Sequence, residues 1–274
     1  GDEVIYPDPG FPIYQSVINF VGGTPVPIPL REENEFRMDI DELKSLITNK
    51  TKMIIINSPQ NPTGGMLSKD DMAEIAKILA DRDIVVLSDE IYENIVYEDR
   101  AYSISSFPGM KEKTIILNGF SKSYSMTGWR AGYGVMPKKI ADDINKLVVN
   151  STSCLAGFTQ MACIEAITGP QDELKRRVEQ FRLRRDKIVE GLNSIKGLKC
   201  VKPRGAFYVF PNIKYFGKSS AEMADYLLNE AGVATLPGGS FGSYGEGYIR
   251  ISYANSMENI DKAIAQIEYA LSKL

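Results

Sequence analysis

Apolar residues in this chain fall into two kinds of segment. Some form short unbroken runs, as in Met53 to Ile56, Ile84 to Leu87 and the stretch ending at Leu117. Runs of that length without polar alternation predict strands covered on both faces, as in a parallel sheet. Elsewhere apolar residues recur three and four positions apart. Met72, Ile75, Ala76 and Leu79 do so within residues 69 to 82, which predicts an amphipathic helix started by Ser68 with Asp71 three residues on. Further helices are expected over 14 to 21, where Gly22 and Gly23 stop the pattern, and from an Asp39 cap to about Ile47. Others cover 138 to 149, 157 to 167, a long charged stretch from 171 to 192, 221 to 230 and 257 to 274. Additional strands are expected at 2 to 6, 131 to 135, 205 to 211, 248 to 252, and 24 to 30, the last an edge strand because of Pro25, Pro27 and Pro29.

The order of these elements decides the class. Strand, loop, helix and strand alternate through the first half, which predicts an α/β sheet covered by helices. After Gly169 and Pro170 the pattern changes to fewer strands and longer helices. This predicts two domains: residues 1 to 168, and a smaller α+β domain at 169 to 274 entered by the long charged helix.

Composition narrows the function. The chain has 274 residues, 43% of them hydrophobic, and a formal net charge of -3. A slightly acidic surface does not suit nucleic acid, which demands clustered positive charge, and no apolar run is long enough to span a membrane. Three cysteines, Cys154, Cys163 and Cys200, lack metal-ligand spacing and read as small buried side chains of a cytoplasmic protein. There is no histidine. Histidine-based nucleophile pairs and metal sites are thereby excluded, so proton transfer falls to Lys, Asp, Glu, Tyr or Cys. The chain opens at Gly1 rather than Met and runs at once into strand-like DEVIY, which reads as a fragment or a processed chain.

The candidate chemistry gathers where predicted strands end. The rigid loop NSPQNPTGG (57 to 65) follows one strand, Asp89 ends the next, and GFSKSYSMTGWRAGYGV (119 to 135) follows a third. Ligands of open α/β sheets collect at such strand ends. Lys122, with small hydroxylated neighbours and Arg130 nearby, suits a Schiff base to a phosphorylated aldehyde cofactor. Arg250 sits mid-strand in the apolar sequence IRIS, where an unpaired charge is costly, so it reads as a ligand-binding group. Taken singly, Asp89 would be a helix cap, Asn61 a turn residue, Tyr92 a core tyrosine and Phe11 packing.

Together with SDEIYENIVYE (88 to 98), RGAFYVFP (204 to 211) and YIRISYANS (248 to 256), these stretches resemble the class I/II aminotransferases, the fold-type I pyridoxal-phosphate enzymes of aspartate-aminotransferase type. The resemblance implies a three-layer α/β/α large domain with a mostly parallel sheet, and a smaller C-terminal domain. It implies pyridoxal 5'-phosphate as cofactor, an L-amino acid and a 2-oxo acid as substrates, and a homodimer. Residue by residue, it implies that Lys122 forms the Schiff base and then serves as acid and base. Asp89 pairs with the pyridine nitrogen, Asn61 and Tyr92 bond the phenolic oxygen, and Phe11 stacks on the ring. Ser121 and Arg130 hold the phosphate, and Arg250 grips the substrate α-carboxylate, with Asn61 beside it. Gly64 and Gly205 serve backbone geometry.

Family members carry roughly a hundred further residues, a domain-scale length, before the segment matching Gly1. The resemblance therefore implies that this chain lacks an amino-terminal part, which in the family supplies a phosphate-binding loop and part of the dimer contact. Three alternatives share the same residues or shape: a fold-type I C–S lyase, a non-catalytic aminotransferase-like sensing domain, and an inactive fragment. Aspartate is the first substrate to consider, and aromatic and aliphatic ones stay open.

Overall fold

The structure is a computed structural model that describes residues 1 to 274. Its larger sheet has six strands. They are β1 (Glu3–Asp8), β2 (Thr24–Pro29), β3 (Thr51–Asn57), β4 (Val85–Asp89), β5 (Thr114–Gly119) and β6 (Gly132–Val135). Their spatial order is β2-β1-β3-β4-β5-β6. The first five are mutually parallel, and β6 runs antiparallel to β5. β2 lies at the edge, as its three prolines require, since each lacks an N–H for a neighbour. β3 and β4 are central, and Ile54, Ile56 and Val86 on them are at most 1% exposed.

Helices α1 (Ile13–Phe20), α2 (Ile40–Leu46) and α3 (Lys69–Leu79) connect these strands. Their starts follow the local chemistry. The Asp39 side chain accepts from the N–H groups of Asp41 and Glu42, and Ser68 with Asp71 forms a reciprocal capping box. α3 buries Met72, Ile75, Ala76 and Leu79, the four positions of its apolar stripe. One core unites them with Ile5, Ile28, Leu43 and Ile104.

Beyond β6 come α4 (Lys138–Ser151), α5 (Gly157–Thr168) and the 23-residue α6 (Asp172–Ser194). A second core then forms around α7 (Ser220–Ala231), α8 (Met257–Leu271) and a three-stranded sheet. That sheet comprises β7 (Tyr208–Val209), β8 (Leu236–Pro237) and β9 (Ile249–Ser252), in the order β7-β9-β8. The strand expected over 205 to 211 is thus only two residues long. Ala206 takes a left-handed backbone (φ 59°) that breaks the extended run before it. A second expectation also fails. Cys163 and Cys200 are buried, but Cys154 is exposed, because it lies in the non-helical connector between α4 and α5. No helix is long and apolar enough to cross a membrane.

Arg185, on α6, ties that helix to the segment that follows β4. Its side chain is fully buried, yet its guanidinium meets Glu98 bidentately (Nη1 to Oε2, 2.7 Å), Asp186 and the Pro203 carbonyl, and lies over the Tyr97 ring at 4.4 Å. Partial burial pushes Glu98 and Asp186 upward, but hydrogen bonds and charge from Arg185 and Lys202 outweigh it, and both end below the usual carboxylate range. Arg185→Ala should therefore cost about 3 kcal/mol, since it strands a packed ion cluster, and lower Tm by several degrees. A carboxylate with a depressed folded pKa stabilises above its unfolded value and loses that contribution as pH falls through the folded one. The gap between wild type and variant should be full at pH 7 and should shrink below about pH 4 to the packing loss alone. Thermal melts at the two pH values check both parts.

Candidate active site

The carboxyl ends of β1, β3, β4 and β5 lie along one edge of the sheet, so the loops leaving them converge. A cleft of about 470 Å³ opens there, within the range of small-molecule sites. Its walls include Phe11, Asn61, Asp89, Tyr92, Lys122 and Arg250, together with Tyr14, Asn57 and Tyr208. Ser121 and Arg130 are not among the lining residues. Arg130 is exposed, with a left-handed backbone, and donates to the Thr127 carbonyl at 3.0 Å. A larger hollow of about 560 Å³ lies between Ile195, Tyr215 and the end of α8, but Lys196 and Glu268 are its only charged side chains.

Asn57, at the end of β3, organises the loop that follows it. Its Nδ2 donates to the Asp89 carbonyl at 3.0 Å, and its Oδ1 accepts from the Asn61 N–H at 3.0 Å. Asn61 is thereby turned toward the cleft, where its Oδ1 accepts from Arg250 Nη1 at 2.9 Å. The loop closes at Gly64, whose φ of +71° and contact with Pro203 leave no room for a Cβ, since one built there would stand 2.3 Å from the Pro203 Cβ.

The Asp89 carboxylate accepts from Tyr14 Oη at 2.6 Å and from the Ile91 N–H at 3.2 Å. Burial pushes Asp89 above the usual carboxylate value, and those two donors and the Lys122 charge offset only part of that rise. Tyr14 is itself raised well above the ordinary tyrosine value, by burial first and then by the Asp89 charge. It stays neutral and donates. Neither Tyr14 nor Asn57 was marked out by its sequence surroundings. The one available signal was the placement of Tyr14 in the first turn after the Phe11 turn.

Lys122 follows β5. Its Nζ lies 5.9 Å from the Tyr92 ring centre and 5.7 Å from that of Phe207. Partial burial lowers its pKa below the usual lysine value, and the Arg250 and Arg130 charges lower it further against the opposing pull of Asp89. A larger fraction of neutral amine is therefore present at neutral pH than on a surface lysine. Arg250 rises from β9 between two aromatic faces, 4.4 Å from the Tyr208 centre and 4.8 Å from that of Phe241. Its Nη1 is committed to Asn61 and its buried Nε has no partner, so the guanidinium keeps donors uncommitted.

These groups fit pyridoxal phosphate. An anionic carboxylate suits a protonated ring nitrogen, and a poised amine suits an aldehyde. A buried tyrosine hydroxyl and a carboxamide suit a phenolic oxygen, and Phe11 offers an aromatic face beside them.

Comparison with known proteins agrees with this chemistry. The family model "Aminotransferase class I and II" matches residues 1 to 267. An aspartate aminotransferase of Pyrococcus abyssi is 45% identical over 276 residues, spanning 99% of this chain and 70% of that protein. Aromatic-amino-acid aminotransferase 2 of Thermococcus litoralis is 42% identical, again over 99% of this chain and 70% of its own length. Among solved structures, the aromatic aminotransferase of Pyrococcus horikoshii superposes with a TM-score of 0.97 at 42% identity, covering 100% of this chain and 74% of that one.

Proposed function

This chain belongs to the class I and II aminotransferase family, and on that footing we propose that it holds pyridoxal 5'-phosphate in the cleft and moves an amino group from an L-amino acid to a 2-oxo acid. The observation that carries the reading is one cleft that combines a pKa-lowered amine, a buried carboxylate, a phenol and a guanidinium. When bound, the cofactor supplies a carbonyl carbon that takes the amino group and a ring that accepts the electron pair released at the substrate Cα.

The chain's own residues do the rest. Lys122 attaches the cofactor and then, as a free amine, carries the proton away from the substrate Cα. Asp89, kept charged and oriented by Tyr14, holds a proton on the ring nitrogen. Tyr92 and the Asn61 carboxamide donate to the phenolic oxygen, and Phe11 covers the ring. The phosphate we assign to Ser121 and Arg130, which lie outside the cleft walls in this structure, Arg130 near enough for its charge to act on Lys122; a planar guanidinium gives phosphate paired hydrogen bonds. Arg250 grips the α-carboxylate through donors that Asn61 leaves open. We assign the cofactor-binding role to residues 1 to 168, and the Arg250 arm to residues 169 to 274.

A homodimer belongs to the same reading. Phe158 and Met161, three residues apart on α5, and Leu147 on α4 are 74%, 65% and 70% exposed, large apolar side chains of the kind a subunit contact would cover.

The test of the reaction is stoichiometry. Protein loaded with pyridoxal phosphate should convert amino acid to keto acid one for one with consumption of a 2-oxo acid acceptor. Pyruvate and ammonia released without an acceptor would instead identify a C–S lyase.

A further inference from the structure

Tyr208 stands at a junction that the proposed roles leave unused. It is 6% exposed and lines the cleft. Its hydroxyl is 3.0 Å from that of Tyr92, and the two rings meet edge to face with centres 5.9 Å apart. Its own face carries the Arg250 guanidinium at 4.4 Å. One side chain therefore touches both the phenol that faces the cofactor and the cation that faces the substrate.

The backbone around it explains how it is held. Ala206 N–H donates to the Ile95 carbonyl at 2.9 Å, and Tyr97 N–H donates to that of Arg204 at 3.3 Å. These bonds stitch residues 204 to 206 to the turn that carries Tyr92. Gly205 permits the approach, because a Cβ there would stand 2.8 Å from the Ile95 carbonyl oxygen and 2.6 Å from Pro59 Cγ. On the other side, Val209 pairs with Ile251 in the sheet that presents Arg250. Tyr208 is thus clamped between the two segments that it joins.

We propose that Tyr208 is a positioning residue with two separable tasks: its ring orients Arg250 for the substrate carboxylate, and its hydroxyl donates to Tyr92 so that Tyr92 can donate to the cofactor. The direction of that bond follows from proton count. A phenol has one O–H. Once Tyr92 spends its proton on the cofactor's phenolic oxygen, the contact with Tyr208 survives only if Tyr208 donates. A donor on the Tyr92 oxygen also polarises its O–H and strengthens the bond it gives. The inference rests on the proposed function.

Two variants separate the tasks. Tyr208→Phe keeps the ring and removes the hydroxyl, and Tyr208→Leu removes both. The first readout needs no turnover: the pH midpoint of the visible absorbance transition of protein loaded with pyridoxal phosphate, without substrate. Tyr92's hydrogen bond favours the anionic phenolic oxygen and so lowers that midpoint. Tyr208→Phe should raise it by about half to one pH unit, with KM for the amino donor unchanged within about two-fold because the ring remains under Arg250. Tyr208→Leu should raise the midpoint similarly and also raise KM about five- to ten-fold. A midpoint in Tyr208→Phe equal to that of wild type would overturn the inference while leaving the proposed function intact. Should Tyr208→Leu fail to fold, the Phe variant decides alone. Absence of any visible band in the wild type would overturn the proposed function itself, and the inference with it.

Discussion

Lys122→Ala should reduce transamination by at least about ten-thousand-fold, the largest loss expected of any single substitution in the chain. The size follows from one amine having two jobs. The chain has no histidine to share proton transfer, and general acid–base catalysis alone is worth about 10² to 10⁴-fold. Its loss adds to that of covalent attachment. Lys122 is half-buried beneath the Tyr92 and Phe207 rings, and no other lysine lines the cleft. The Ala variant should keep its melting temperature within about a degree, because removing a partly exposed amine that burial already disfavours costs the fold little. Single-turnover assays with the amino donor measure the rate, and a melt confirms the fold.

Asp89→Asn should come second, lowering kcat by about 10² to 10³-fold, the scale of losing one preorganised electrostatic contact in a catalytic site. The amide keeps the shape: its oxygen can still accept from the Ile91 N–H while its NH2 group faces the Tyr14 hydroxyl, which can accept in turn, but it has no charge with which to hold a proton on the ring nitrogen. The same substitution should have the opposite effect on stability. Burial raises Asp89 above its ordinary value, so its charged form is disfavoured by folding, and that cost is present at neutral pH and relieved as pH falls and the carboxyl protonates. Cofactor-free Asp89→Asn should therefore melt above wild type at pH 7, and the difference should disappear below about pH 4. Such a trade of stability for activity marks a group retained for chemistry.

The sequence read well wherever the relevant physics is local. Unbroken apolar runs marked the central strands, Asp39 and Ser68 marked helix starts by capping, and prolines marked the edge strand. Strand-end logic drew attention to Asn61, Asp89 and Lys122, because loops leaving parallel strands on one edge must converge. Contacts made across the chain were not visible in this way. Tyr14 reaches Asp89 over 75 positions and Tyr208 reaches Tyr92 over 116, and in each case a tyrosine in an apolar setting looks like packing. Arg185 was hidden for a different reason. It sits in a helix dense with charge, and nothing in that helix's sequence distinguishes the one guanidinium that is fully buried from its more accessible neighbours. The stretch 205 to 211 misled because its β-branched and aromatic residues suit a strand, whereas Ala206 adopts a left-handed turn that docks the segment against Ile95.

The claim on which the rest depends is that Lys122 carries pyridoxal phosphate. The most direct measurement adds the cofactor to purified protein, reduces with borohydride, and locates the modification by peptide mass. The expected result is a visible absorption band in wild type, absent from Lys122→Ala, with the cofactor's mass fixed on the peptide containing Lys122. Fixation spread over surface lysines, or a band that persists in the variant, would contradict the assignment of this cleft as the cofactor site.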